Sequence, residues 1–223
     1  MPLHVTFVLF PNVTQLDFTA PAQVLARMPD ARVTVAARSS EPVPTDCGFG
    51  VLPAATFDNA EQADLLCVPG GFGVGDALGD DATVGFIREQ AAGTRYVTSV
   101  CTGAFLLGAA GLLRGRRATT HWAYTGLLPL VGAEFAQGRV VVDHDVITGG
   151  GVTAGLDFAL TVAAEVAGAE VAQAIQLALE YDPAPPFEAG SPDKAPQGVR
   201  AAMDDRYRQS VERMRGAIGN ATA

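Results

Sequence analysis

Arg95-Tyr-Val-Thr-Ser-Val-Cys-Thr-Gly-Ala-Phe-Leu-Leu-Gly-Ala-Ala-Gly-Leu-Leu113 changes its period halfway along. Tyr96 to Val100 is short and β-branched, the pattern of a buried strand. From Thr102 onward, Phe105, Leu106, Ala109 and Leu113 recur at helical spacing. Cys101 is thereby placed at a sharp strand-to-helix turn, with Gly103 permitting close backbone approach. This is the pattern of a nucleophile elbow, although Ser99 stands where the Gly-x-Ser-x-Gly form has its first glycine. A thiol at a helix N-terminus meets unpaired N–H groups and the positive dipole end. Both favour a thiolate nucleophile over an inert core cysteine.

Upstream, Asp64-Leu-Leu-Cys-Val-Pro-Gly-Gly-Phe-Gly-Val-Gly75 reads as a strand entering a glycine-rich loop. It lacks the Lys-Ser/Thr ending of a phosphate loop and does not fit Gly-x-Gly-x-x-Gly, so no nucleotide site is expected. Such a loop can aim backbone N–H groups, notably that of Gly71, at developing negative charge. Cys67, inside the strand, is expected to be a small core residue. Downstream, Arg117-Ala-Thr-Thr-His-Trp122 leads into a short helix from Ala123 to Val131. His121 is either a structural histidine or, if it folds back, a partner for a Cys101 thiolate. Arg139 to Val142 and Val146 to Thr148 read as strands around an Asp143-His144-Asp145 turn. Strand alternation sends neighbouring side chains to opposite faces, so that triplet predicts a turn rather than a metal site. Gly149-Gly-Gly151 then permits a tight turn into a helix capped by Thr153, from Leu156 to about Val166.

Toward the N-terminus, His4 to Phe10 is a nearly continuous apolar strand, as parallel sheets covered on both faces require. Pro11-Asn12 ends it, and a loop to Pro21 precedes a helix carrying Val24, Leu25 and Met28. Asp17 lies just beyond the carboxyl end of that strand. It is either a helix-capping acid or a site residue, since open α/β sheets gather their sites there. Ala31 to Ala37 is a second strand, and Gly48 to Leu52 a short one with Cys47 at its edge. Thr83 to Ala92 is a helix started by Asp80 or Asp81, with Val84, Ile87 and Ala91 as its apolar stripe. A later helix uses Val171, Ile175, Ala178 and Leu179. Residues 1–182 thus make one domain, 183–198 a Pro/Gly-rich connector, and 199–223 a terminal helix and tail. That helix carries Val199, Met203, Tyr207, Val211, Met214 and Ile218 on one stripe, for packing on its own core or on a second subunit.

Composition narrows the function. The 223 residues are 48% apolar and 17% charged, enough for a large core. A net charge of −9 leaves no basic stripe for phosphates, so nucleic acid is not an expected partner. Three cysteines without Cys-x-x-Cys spacing suit a reducing compartment. Neither a basic leader at Met1 nor an apolar run of spanning length is present. The expectation is a soluble cytoplasmic protein with no membrane partner.

Strands alternating with helices predict a doubly wound α/β fold, a mostly parallel sheet with helices on both faces. Val-Pro-Gly-Gly at 68–71, Ser-Val-Cys-Thr-Gly at 99–103 and Arg-Ala-Thr-Thr-His-Trp at 117–122 together resemble the ThiJ/PfpI superfamily, which shares the class I glutamine amidotransferase-like fold. Gln15-Leu-Asp17, Cys101-Thr102 and Tyr181-Asp-Pro-Ala-Pro-Pro-Phe187 most resemble its isonitrile-hydrating branch. The resemblance implies Cys101 as nucleophile, Asp17 as its acidic partner and Thr102 as a catalytic hydroxyl. The Gly71 and Thr102 amides are then candidate anion donors, and Gly70, His121 and Trp122 candidate pocket residues. Phe18 and Phe72 are further possible walls. It further implies a homodimer, no metal and no organic cofactor. Thr102 stands where protease-like and chaperone-like relatives carry histidine, which weakens any Cys-His dyad. The alternatives are a glyoxalase or deglycase acting on 2-oxoaldehydes, a redox sensor, and a ligand-sensing module like that of AraC-type regulators.

Overall fold

The computed structural model describes residues 3–221. Met1, Pro2, Thr222 and Ala223 lie outside it, and with them the first residues of the chain's start and the last of the terminal tail. In chain order the elements are β1 (Leu3–Val8), α1 (Gln15–Leu25), β2 (Ala31–Ala37), β3 (Val43–Pro44), β4 (Gly50–Val51), β5 (Ala55–Thr56) and β6 (Leu65–Val68). There follow α2 (Val74–Ala77), α3 (Asp81–Ala91), β7 (Tyr96–Val100), α4 (Gly103–Ala109), β8 (Arg117–Ala118), a 3-10 helix (Trp122–Val131) and β9 (Glu134–Phe135). β10 (Val140–Asp143), β11 (Val146–Gly149), α5 (Ala154–Ala167), α6 (Ala169–Ala178) and α7 (Gln197–Ala221) complete the described residues.

Seven strands form one sheet in the order β10-β11-β7-β6-β1-β2-β5. All pairs are parallel except β10 with β11, joined by the predicted turn at His144 (φ +58°). β6 and β11 are buried along their whole length, which is why their sequences show no polar alternation. One face is covered by α1 and α5, packed on each other with α6 behind; the other is covered by α3 and α4. β1 pairs with β2 on one side and β6 on the other, so the strand order reverses at β1. The carboxyl ends of β1, β6, β7 and β11 therefore open onto one crevice at the switch point, where such sheets bind ligands.

Several elements differ from the sequence reading. α1 starts at Gln15 and runs through Pro21, so Asp17 is in its first turn and not in a loop. A proline costs the helix one hydrogen bond, but here the ring lies near Gly155 of α5, and α1–α5 packing holds the helix together. α4 ends at Ala109 instead of continuing to Leu113. Gly111 (φ +84°) turns the chain, and the Leu112 amide closes the end on the Leu107 carbonyl. The buried side of α3 is Thr83, Phe86, Ile87 and Gln90, so the stripe is rotated from the expected one; Gln90 is inside because it bonds the Ala63 amide. The segment from Trp122 is a 3-10 helix containing Gly126 and Pro129, and α6 leaves Ala178 exposed. Thr153 precedes α5 without capping it through its side chain.

Residues 181–196 carry no helix or strand. α7 then returns to pack on α2, α4 and the 3-10 helix of its own chain. Met214 and Ile218 are buried there, while Val199, expected on the same stripe, is exposed. Among the described residues, no helix is long and apolar enough to cross a membrane.

Candidate active site

Cys101 stands between β7 and α4 with φ +57°, a left-handed conformation that costs a non-glycine residue strain. Its backbone is fastened on both sides. The Cys101 amide donates to the Gly149 and Gly150 carbonyls, each at 3.0 Å, and the Thr120 hydroxyl donates to the Cys101 carbonyl at 2.7 Å. The side chain is only 6% exposed.

Asp17 reaches the same point from α1. It is fully buried, and its Oδ2 accepts from the Gly70 amide at 2.9 Å. Oδ1 is buried without a hydrogen bond of standard geometry. Burial raises the carboxyl from 3.8 to about 7, against the Gly70 amide and the Cys101 thiol, which pull it down; Asp46 adds to the rise. Burial also pushes the Cys101 thiol well above 9, with the Asp17 charge reinforcing it and the Thr102 and Val152 amides opposing it. The thiolate expected from the helix terminus is therefore not the resting form. α4 is too short and the sulfur too deeply covered for the dipole to outweigh desolvation. The two groups instead compete for a proton, the sulfur holding it more strongly.

Thr102 is buried, and its hydroxyl accepts from the Gly71 amide at 3.0 Å and lies 3.3 Å from the Gly71 carbonyl. This corrects one expectation: the Gly71 N–H is engaged by Thr102 and not aimed at a reacting atom. The amides that reach the sulfur are those of Thr102 and Val152. Val152 was not singled out by sequence, and its only signal was the Gly149-Gly150-Gly151 run that brings α5 to this point. Gly70 has no room for a side chain, because a Cβ would come within 2.5 Å of the Thr102 amide and 2.9 Å of Asp17 Oδ2.

His121 is buried but is not a charge partner for the thiol. Burial lowers its imidazole to about 4, and its Nδ1 accepts from the Ala123 amide at 3.3 Å. Its ring packs among Trp122, Tyr124 and Tyr207. Phe18 is a core residue and Phe72 is 62% exposed. Cys47 is exposed with its thiol beside Asp46, and Cys67 is buried in β6 next to the Thr98 hydroxyl. Among the described residues, no group of three His, Cys, Asp or Glu side chains could hold a metal. A cavity of about 400 Å3 lies beside Phe10, Arg38, Val43 and Ala77, and neither Asp17 nor Cys101 lines it.

A doubly wound sheet with a cysteine turn after β7 and an acid beyond β1 defines the class. The model of the DJ-1/PfpI family matches residues 3–165, and the chain belongs to that family. It is 55% identical over 199 residues to isonitrile hydratase of Pseudomonas putida, covering 89% of this chain and 87% of that one. A solved ThiJ/PfpI family protein of Pseudomonas syringae superposes with a TM-score of 0.96 at 38% identity, over 98% of this chain and 91% of that one. Drosophila melanogaster DJ-1beta gives 0.72 at 26% identity, over 82% and 100%.

Proposed function

We propose that this protein is an isonitrile hydratase, a hydro-lyase converting R–N≡C and water to R–NH–CHO. The observation that carries the reading is the buried Asp17–Cys101 pair beside Thr102, in a chain 55% identical to an isonitrile hydratase over most of both lengths. The terminal carbon of an isonitrile has both a lone pair and low-lying empty orbitals. It accepts a proton and a nucleophile at one atom, which is what a carboxyl and a thiol converging on a single point supply.

At rest the proton sits on sulfur and Asp17 is poised near neutrality. Asp17 takes the thiol proton and delivers it to the isonitrile carbon while the sulfur attacks that carbon. The product is the thioimidate R–N=CH–S–Cys101, with Asp17 again ionised. Asp17 next takes a proton from water as the hydroxyl adds to the carbon, and that proton passes to nitrogen. In the last step Asp17 accepts the hydroxyl proton as the C–S bond breaks, the formamide leaves, and the proton returns to sulfur. A carboxyl near pH 7 is suited to both directions of transfer. No step calls for a metal or an organic cofactor. Thr102, fixed by Gly71, positions the water.

The test is formamide release from a small aliphatic isonitrile by the purified protein. No turnover on several isonitriles, with turnover of methylglyoxal, would replace this reading by the glyoxalase or deglycase one. Thr102→Val is expected to slow the water step and lower kcat by about ten- to a hundredfold, the lower end of acid–base contributions. Intact-mass spectrometry should then catch the thioimidate on Cys101; an unmodified, equally slowed variant would remove Thr102 from that step. The same reading includes a homodimer in the cytoplasm. Exposed Phe49 and Phe72 flank the bridged segments at Thr45 and Gly71 and suit self-association, and three free thiols suit a reducing compartment. Light scattering at micromolar concentration checks the first point.

A further inference from the structure

α7 lies beyond residues 3–165, the segment matched by the family, yet it is firmly fixed to the side of the site. The Arg200 guanidinium sits 4.8 Å over the Trp122 ring, and the Tyr124 and Ser210 hydroxyls are 2.7 Å apart. Between these two attachments, Tyr207 places its ring 5.1 Å from His121, 5.6 Å from Trp122 and 6.0 Å from Tyr124. This cluster is coupled to the cysteine turn at three points. Thr120, the residue before His121, bonds the Cys101 carbonyl. The His121 ring closes on Gly151, where a Cβ would meet Cδ2 at 2.6 Å, and Gly151 precedes the Val152 amide that reaches the sulfur. Tyr124 packs edge-on against Phe105 of α4.

Resting on the isonitrile reading, we infer that Tyr207 is a specificity-determining residue: with Tyr124 it forms an aromatic wall beside Cys101 against which the substituent R of the isonitrile packs, favouring aryl and bulky cyclic substrates. The C≡N–R unit of the incoming isonitrile is linear, so a terminal carbon held between the sulfur and Asp17 carries R away from that pair. A ring so placed meets aromatic faces and edges, which stabilise it beyond simple area burial. The two tyrosines stand within electrostatic reach of the sulfur. Burial first, and a Cys101 charge after it, push the Tyr207 hydroxyl up; burial, Tyr207 and Cys101 do the same to Tyr124 against the bond to Ser210.

The experiment compares phenyl or cyclohexyl isonitrile with methyl isonitrile on the parent, Tyr207→Phe and Tyr207→Ala. Tyr207→Ala is expected to lose about ten- to a hundredfold in kcat/KM for the bulky substrates, mainly through KM, and less than about threefold for the methyl one. Tyr207→Phe should keep the parent's preference. Tyr207→Leu retains apolar bulk and serves in place of alanine if that variant does not fold. An equal loss on all substrates, or none, overturns the inference. A second readout is independent of turnover: alkylation of Cys101 by N-phenyl- and N-methylmaleimide, followed by mass spectrometry in a Cys47→Ser background. The phenyl-to-methyl rate ratio should fall several-fold in Tyr207→Ala. A falling ratio with no isonitrile turnover would leave the wall standing and reject the reaction; an unchanged ratio alongside normal turnover would reject the wall.

Discussion

Asp17→Asn is expected to abolish formamide release and, at the same time, to make the protein more stable at neutral pH. The activity loss should be about a thousandfold or more, approaching that of Cys101→Ala, because one group carries the proton in both halves of the reaction. The stability gain follows from proton counting. An unfolded chain loses the Asp17 proton near 3.8, whereas the folded chain keeps it until about 7. Between those values the folded state binds more protons, so stability falls as pH rises through the window and stays low above it. The gap corresponds to at most about 4 kcal/mol of stability that the folded protein forgoes at pH 8. Asparagine keeps an acceptor for the Gly70 amide without burying a charge. Thermal unfolding of parent and variant from pH 4 to pH 8 checks this. The parent's melting temperature should decline across the window and the variant's should not. Parallel profiles would mean that Asp17 is an ordinary ionised carboxylate, and the alternating acid–base role would fall with it. A variant that is stabilised yet fully active would preserve the electrostatics and reject the proton carrier.

The cysteine turn was legible because a β-branched run, Tyr96 to Val100, gives way at one residue to apolar positions at helical spacing, Phe105 onward. Both segments are buried almost throughout, so residue type and spacing, not an exposed face, carry the reading. Asp17 was legible as a candidate from its place after β1, but its burial was not. Pro21 suggests a late helix start, and only the packing of α1 on α5 shows that the helix begins at Gln15 and turns the carboxylate inward. Gly71 illustrates a different limit. Glycine-rich loops expose amides, but which amide is free depends on a residue thirty-one positions away, the Thr102 hydroxyl. The protonation of Cys101 was misjudged for a related reason. A helix N-terminus can be read from sequence, whereas the burial that pushes the thiol up depends on how distant segments close over the sulfur. Tyr207 lay on an apolar stripe that packs on the core from Tyr207 onward but not at Val199, and nothing in a stripe tells what it will face.

Gly103→Ala is the second change with a large expected effect, and it acts through geometry alone. A Cβ at 103 would sit 2.1 Å from the Val68 carbonyl oxygen and 2.7 Å from that of Pro69, both backbone atoms at the end of β6. Neither can rotate away, so the first turn of α4 must lift off the sheet. Cys101, two residues earlier and already strained at φ +57°, is carried with it, while Asp17 stays fixed to Gly70. Overpacking of this kind costs about 1–3 kcal/mol, more where backbone must move, and a displacement near 1 Å at a reacting atom can cost about a hundredfold in rate. Gly85→Ala is the control. It lies inside α3 with nothing within 4 Å of its Cβ position, and alanine there should stabilise the helix by about 0.5–1 kcal/mol. Urea unfolding and kcat/KM, measured on both variants, separate the two glycines. A Gly103→Ala protein as stable and active as the parent would show that α4 can slide on β6, and the thiol–carboxyl distance would then not be set by the sheet. Loss of activity with stability largely kept would instead show that the close approach of α4 to β6 aligns the sulfur with Asp17 more than it holds the fold together.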